Sequence, residues 1–385
     1  MKQIRWTIDS PPVEAAAYLR GTIWLRASDG RRFVADFERD TLTEADFTVE
    51  HPFAEGFGFV RRGEALETLE LMDDEGHVLA AWTMPPGGQW FLPRAPFSQG
   101  MCPVMTHEQR FGFLNTAGEM AIEPQYWLVE GFTEGYARVL PEGRREVRRG
   151  RLINLKGEVV RHSKGVYLSG VHGGCCLELL DRRSIRLTYG LGGGVRGRTD
   201  IEVRGDAYLP QDWQGEAMIP YRGKRLFSKL DVGLLHLFRG EAGPLRWHEA
   251  SQSRCGRSRV SMDEQERLVT FADERFETIG GAWRAAQGFS EGVCAVLGGH
   301  GRWSFIDVDG SAAFVGAFEE ATAMYRGAAL VRTGERWGAI DRAGRFLTER
   351  GEWDEVHAIG EARECFFARR GEKRFVILRA SLRDG

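Results

Sequence analysis

Six aromatic residues, Phe47, Phe91, Tyr126, Trp283, Phe318 and Trp353, each stand six positions ahead of a slot, and the slots open at Phe53, Phe97, Phe132, Phe289, Met324 and Ile359. At its clearest the slot reads Phe-x-Glu-Gly and leads into an alternating apolar run. From 283 to 318 to 353 both steps are 35 residues, and a fixed period of that length marks stacked copies of one supersecondary unit. Copies of this kind bury each other's apolar faces and present a long surface. The pattern therefore constrains architecture strongly and chemistry very little.

Each copy reads as strands. Gly135-Tyr136-Ala137-Arg138-Val139 and Gly292-Val293-Cys294-Ala295-Val296 alternate with period two after the slot, the signature of a half-buried strand. The spacing predicts strands at 135–140 and 293–297. A second run follows a basic residue, as in Arg110-Phe111-Gly112-Phe113-Leu114-Asn115, Arg151-Leu152-Ile153-Asn154, Arg302-Trp303-Ser304-Phe305-Ile306-Asp307 and Arg336-Trp337-Gly338-Ala339-Ile340-Asp341. It predicts strands at 303–307 and 337–341. Gly118, Gly157, Gly310 and Gly344 come two or three residues later, where a residue tolerant of positive φ closes a hairpin into a third strand. The predicted unit is a three-stranded β-meander of about 35–45 residues, and the predicted fold is all-β.

These residues resemble the WG-repeat (KWG-repeat) proteins of bacteria, whose unit joins an aromatic-Gly-aliphatic-Ile-Asp strand, a turn glycine and a Phe-Ser-Glu-Gly-x-Ala-x-Val strand. Phe289-Ser290-Glu291-Gly292 and Arg336-Trp337-Gly338-Ala339-Ile340-Asp341 are most similar to that pattern. The resemblance covers residues 90–160 and 283–358, and only Trp337-Gly338 keeps the literal Trp-Gly pair. It implies an all-β array without a common enzymatic activity, and it supplies no catalytic, cofactor-binding or metal-binding residue.

The chain has 385 residues, 42% of them hydrophobic and 28% charged, ordinary values for a globular protein. A net charge of −3 and a pI near 6.4 argue against nucleic acid or an anionic membrane as partner, since both require a concentrated positive field. Lysine occurs only at positions 2, 156, 164, 224, 229 and 373, so arginine carries almost all the positive charge. A genome rich in G and C produces that bias; arginines gathered on one face would instead suit an interface. The opening Met1-Lys2-Gln3-Ile4-Arg5-Trp6 has no apolar signal region, and no stretch approaches the ~18 apolar residues of a spanning helix. Cys102, Cys175, Cys176, Cys255, Cys294 and Cys365 are scattered as reduced thiols would be. Together these features predict a cytoplasmic protein.

Between 165 and 280 the template decays. The interval from Tyr126 to Trp283 still holds four units, with Trp213-Gln214-Gly215-Glu216-Ala217-Met218-Ile219 as a slot and first strand and Leu268-Val269-Thr270-Phe271-Ala272-Asp273 as a second strand and turn. At the start, Tyr18-Leu19-Arg20-Gly21 serves as slot and Asp29-Gly30 as hairpin turn. Ser10-Pro11-Pro12 ahead of Val13-Glu14-Ala15-Ala16-Ala17 offers an N-cap and early prolines for one short helix, and Ser261 to Arg267 offers a weaker one. Nine or ten units result: an N-terminal array over 1–165, diverged repeats over 166–282 and regular repeats over 283–385. A propeller-like ring is favoured over an open β-solenoid. Closure removes edge strands, and Cys365-Phe366-Phe367-Ala368 with Arg374-Phe375-Val376-Ile377-Leu378 looks like a unit awaiting N-terminal strands.

Several strings imitate active-site motifs. Gly288-Phe289-Ser290-Glu291-Gly292 matches a nucleophile elbow, which needs a helix after its turn, whereas here a strand pattern follows. Gly192-Gly193-Gly194-Val195-Arg196-Gly197 fits Gly-x-Gly-x-x-Gly with no helix to present to a phosphate. His172-Gly173-Gly174-Cys175-Cys176 gathers soft-metal ligands, but adjacent strand residues point to opposite faces. Glu55, Glu134 and Glu291 share one repeat slot, which favours a structural bond to a neighbouring turn over acid–base work. No catalytic, cofactor or metal residue is assigned. The expected function is a non-enzymatic scaffold for a protein partner, such as a toxin-immunity or regulatory adaptor; the alternative is an enzyme or small-ligand binder using the diverged middle. Copies that lose the template either have side chains to spare for binding or have drifted neutrally; on the first reading Trp213, Tyr221, Arg222, Trp247 and His248 are the candidate partner-binding residues.

Overall fold

The computed structural model describes residues 2–63, 67–83, 91–141, 150–163, 165–181, 183–191, 197–202, 213, 215–225, 229–243, 247, 249–251, 253–261, 268–359 and 362–378. All regular structure among them is β, and no helix is long and apolar enough to cross a membrane. Strands Tyr136–Leu140, Val293–Leu297, Trp303–Asp307 and Arg336–Ile340 stand where the alternation predicts them, to within one residue.

Ten antiparallel sheets follow one another along the chain and form the blades of a ten-bladed β-propeller. Blades 1 to 5 span residues 12–45, 48–83, 91–126, 128–162 and 167–202; blades 6 to 9 span 218–242, 249–283, 285–307 and 320–340; blade 10 joins 355–378 to 3–5. Among the described residues seven sheets have four strands and three have three, so the three-stranded unit predicted from sequence is one strand short of most of them. The missing strand lies between aromatic and slot. It is only two residues long in Thr48–Val49, Leu128–Val129, Ala285–Ala286 and Glu320–Ala321, too short to show a period. In blades 8 and 9 the fourth strand shrinks to isolated bridges, Trp303 to Phe318 and Ile306 to Ala312, then Trp337 to Trp353 and Ile340 to Phe346.

The ring is closed by its N-terminus. Gln3–Arg5 pairs antiparallel with Lys373–Leu378, Gln3 opposite Ile377 and Arg5 opposite Phe375, and becomes the fourth strand of blade 10. Ile4 and Trp6 are each 2% exposed and sit in the core shared by blades 10 and 1. An open solenoid is thereby replaced by a ring in which neither terminal blade is left without a neighbour. Pro12–Ala17, where the sequence offers a helix, is instead the first strand of blade 1, with Ala15 opposite Leu25 and Ala17 opposite Ile23. Alanine's helical preference is worth only about 0.5 kcal/mol per residue against other ordinary residues, and strand pairing overrides it. The weaker helix expected from Ser261 to Arg267 begins on the last residue of strand Ser258–Ser261; 262–267 lie outside the described residues.

First strands pack on the second or third strand of the preceding blade, while fourth strands such as Val78–Thr83 and Val159–His162 are mostly exposed. The first strands therefore line the axis and the fourth strands the rim. Because each blade is a meander, slot turns and third-to-fourth turns share one face of the ring, and second-to-third connections and links between blades share the other.

This layout explains the six-residue spacing. Tyr126 ends the last strand of blade 3, and Phe132, six residues on, belongs to blade 4 yet packs 4.8 Å from Phe113 of blade 3. Trp283 ends blade 7, and Phe289 of blade 8 packs 4.8 Å from Phe271 of blade 7. The aromatic closes one blade and the slot residue wedges the next against it. The glycine after the strand aromatic has a steric cause as well: the strand Met120–Tyr126 bulges toward Gly112, and a Cβ there would lie 2.4 Å from the carbonyl oxygen of Ile122.

Candidate functional site

The glutamates that recur in the slot are the first polar groups to place. In each of the pairs Glu55-Gly56, Gln99-Gly100, Glu134-Gly135, Cys255-Gly256, Glu291-Gly292 and Arg326-Gly327 both residues have positive φ, the geometry of a two-residue type I′ hairpin. The flanking residues pair, Thr133 with Tyr136 and Ser290 with Val293 for example. Gly288-Phe289-Ser290-Glu291-Gly292 is thus strand, tight turn and strand, and Ser290 is the residue before the turn. Gly173-Gly174 is the same turn in blade 5, which absorbs the His172 to Cys176 string into the repeat.

Each turn is tied to the next. Glu55 accepts hydrogen bonds from the backbone N–H of Gln99 and Gly100, both at 2.8 Å. Gln99 Oε1 accepts from Gly135 N at 2.5 Å. Glu134 accepts from Gly173 N and Gly174 N at 2.6 and 2.5 Å, and Glu291 accepts from Gly327 N at 2.9 Å while Arg342 donates to it at 2.8 Å. The shared slot is a chain of blade-to-blade clasps. Glu134→Gly tests it, because glycine relieves a positive φ that costs about 1 kcal/mol or more for other residues yet removes the carboxylate. A clasp of two charge-assisted bonds in a solvent-exposed site predicts a net loss of about 1–2 kcal/mol in denaturant unfolding; a variant stabilised by the full ~1 kcal/mol of relieved strain would show that the clasp contributes nothing.

The arginines have equally local employment. Arg26, Arg61, Arg138, Arg332 and Arg369 on second strands pair with Glu14, Glu50, Glu130, Glu320 and Glu355 at or beside the first strands, at 2.7, 2.7, 2.6, 2.6 and 2.9 Å. These pairs recur near the axis of five blades. The more exposed of these pairs each contribute about 0–1 kcal/mol, so they set the charge pattern of the first two strands more than the stability of the ring.

Three of the candidate partner residues in the diverged middle, Trp213, Tyr221 and Trp247, lie in the core and not on a surface. Trp213 and Tyr221 are buried in the core between blades 5 and 6, with Trp213 Nε1 donating to the Glu216 carbonyl and the Tyr221 hydroxyl to that of Gly243. Trp247 is fully buried with Met218, Leu234 and Val260. Aromatics in these copies do the core work that the slot aromatics do elsewhere. Arg222 lies within strand Met218–Arg225; its side chain and the whole of His248 lie outside the described residues, as do Gly192 to Arg196 of the glycine-rich string.

Cys175 and Cys176 point to opposite faces, one into the core with Leu187 and Trp213 and the other into that with Leu152 and Leu168. Burial pushes the thiols of Cys102 and Cys294 up to about 12 and that of Cys176 up to about 11. Cys255, at the tip of its turn, is exposed. Native protein should therefore react with a thiol reagent near pH 8 at one fast site, lost in Cys255→Ser, because only accessible thiolate is nucleophilic. Fast reaction at two or more sites would contradict the burial.

A concave site lies elsewhere, in regular copies. Between blades 2 and 3, where the blades splay toward the rim, a cavity of about 670 Å³ is walled by Leu69, Trp82, Phe91, Met120 and Pro124. Trp82 stands edge-to-face against Phe91 at 4.9 Å and 79°. His107 and Glu108, in the second-to-third turn of blade 3, stand at the mouth with Nε2 and Oε1 3.9 Å apart. Sequence reasoning treats Phe91 as a repeat aromatic and passes over Trp82, whose signal is a large aromatic on an otherwise small-residue fourth strand, Val-Leu-Ala-Ala-Trp-Thr.

Comparison with known proteins agrees with the repeat. Residues 111–141 match the family model described as WG containing repeat. The chain carries a WG repeat. The matched segment runs from the third strand of blade 3 through the second strand of blade 4, so the family's unit straddles two blades and includes the clasp residue Glu134. No protein with a curated description matches. Among solved structures, the chain is 11% identical to BamB from Moraxella catarrhalis, covering 86% of this chain and 96% of that one with a TM-score of 0.34. It is 9% identical to KlHsv2 with loop 6CD replaced by a Gly-Ser linker (78% and 93% covered, TM-score 0.36) and 8% identical to the computationally designed Ika8 protein (97% and 98% covered, TM-score 0.33). Scores this low carry no functional inference.

Proposed function

We propose that this WG-repeat chain is a non-enzymatic scaffold that binds a protein partner, in the manner of a toxin-immunity or regulatory adaptor protein acting in the cytoplasm. The observation that supports this reading best is the aromatic groove between blades 2 and 3, lined in part by the second-to-third turn of blade 3. Buried aromatic anchors of this kind dominate protein recognition. The polar groups point the same way, since the recurring glutamates and arginines are engaged in clasps and cross-strand pairs.

The test is to purify the chain from its native host with an affinity tag and measure the co-purifying species with the recombinant protein. A protein bound at one-to-one stoichiometry with a Kd below about 1 μM, roughly −8 kcal/mol, is the expected result. Recovery of a small molecule that the purified chain converts, with no protein bound, would overturn it.

A further inference from the structure

The groove between blades 2 and 3 has an aromatic wall and a carboxylate at its mouth, a combination that distinguishes cations from other groups. The indole of Trp82 is held on several sides, by Phe91 edge-on at 4.9 Å, by Phe59 at 6.4 Å and by the backbone at Gly118, where an added Cβ would come within 3.1 Å of the ring. A π-face fixed in this way is prepaid in side-chain entropy. The side chain of Glu108 is 70% exposed, and the ring Nε2 of His107 lies 3.9 Å from its carboxylate. Arg110, in the same turn, lies over the Trp127 ring at 5.9 Å. The cavity's ~670 Å³ lies within the range of about 300–1,000 Å³ in which sites enclose a small ligand, which leaves room for a long side chain and the peptide backbone on either side of it.

We propose that this groove receives a basic side chain, arginine or lysine, from an extended segment of the partner protein. The inference rests on the scaffold reading above. The aliphatic stem lies along Met120 and Pro124, the cationic head meets the face of Trp82, and Glu108 supplies the counter-charge at the mouth. Guanidinium is favoured over ammonium because it stacks on aromatic planes and forms bidentate bonds with a carboxylate. An anionic segment would meet Glu108 with like charge.

The probe is the tripeptide acetyl-Ala-Arg-Ala-amide, titrated into the full chain by calorimetry or NMR beside its citrulline counterpart, which keeps the shape and loses the charge. Loss of the cation–π and ionic contributions predicts about tenfold weaker binding of the citrulline peptide. Glu108→Gln, an exposed position, should weaken the arginine peptide about threefold and flatten its salt dependence; Trp82→Leu, which keeps apolar bulk without the π-face, should weaken it at least fivefold. Equal affinity for the two peptides, or unchanged affinity in both variants, overturns the proposal. If the native partner binds the Trp82→Leu/Glu108→Gln double variant as well as wild type, the groove is not its docking site and the scaffold reading stands. If the tripeptide binds as expected but no protein partner is recovered, the scaffold reading fails and the cation preference of the groove survives.

Discussion

Deleting residues 1–6 should lower stability by at least about 4 kcal/mol, because it removes the buried Ile4 and Trp6 side chains together with the last strand of blade 10. The loss should exceed that of an equal truncation elsewhere on the rim. Without Gln3–Arg5, the row of backbone groups on Phe375–Ile377 is left unpaired, and an exposed row of that kind recruits other chains. Denaturant unfolding should show the lower stability and size-exclusion chromatography a new concentration-dependent species. A synthetic peptide of residues 1–8 added in trans should restore both. A truncated chain that unfolds like wild type would mean that the terminal strand decorates the ring without closing it.

The second large effect is expected at Phe132. Its side chain is 1% exposed and packs against Phe113, with Ile122, Tyr126 and Ile153 in the same core. Phe132→Ala should cost about 3–5 kcal/mol, the range for truncating a buried aromatic, and Phe132→Leu should cost about 1–2 kcal/mol because most of the volume is kept. Since the residue joins blades 3 and 4, hydrogen exchange should quicken in both. Acceleration confined to blade 4 would show that the slot residue serves only its own sheet.

Much of this architecture is legible in the residues because repetition amplifies a weak local signal. One alternating run such as Tyr136–Leu140 is ambiguous alone; the same run after the same slot in several copies is a strand. The structural account of Glu55, Glu134 and Glu291 came from the same logic, and the clasps to Gln99, Gly174 and Gly327 bear it out. The short first strand of blades such as 2, 4, 8 and 9 was lost for the opposite reason, since two residues cannot display a period of two. Ala15-Ala16-Ala17 misled because its propensity is local while the partner Ile23–Leu25 that decides its conformation lies beyond the turn. The nominated aromatics misled for a third reason. Loss of the template at Trp213 and Trp247 marks a change in how the core is filled, and sequence divergence by itself does not distinguish a new surface from a new packing. The groove at Trp82 was invisible because it exists only between two copies, where neither repeat alone contains both walls.

Each clasp refers only to its immediate neighbour: a carboxylate or amide at one turn, one or two N–H groups at the next, and nothing that depends on how many turns there are. The angle between adjoining units is thereby written locally, copy by copy where a clasp is present, and the circumference is written into none. A lineage of such chains can gain or shed a unit by recombination without revising any side chain in the others, provided that the accumulated small rotations still return the last copy to the first. The terminal strand is the one part that reads the total, since it can pair only when the circle comes round to meet it. Size in this molecule is a property checked at the seam.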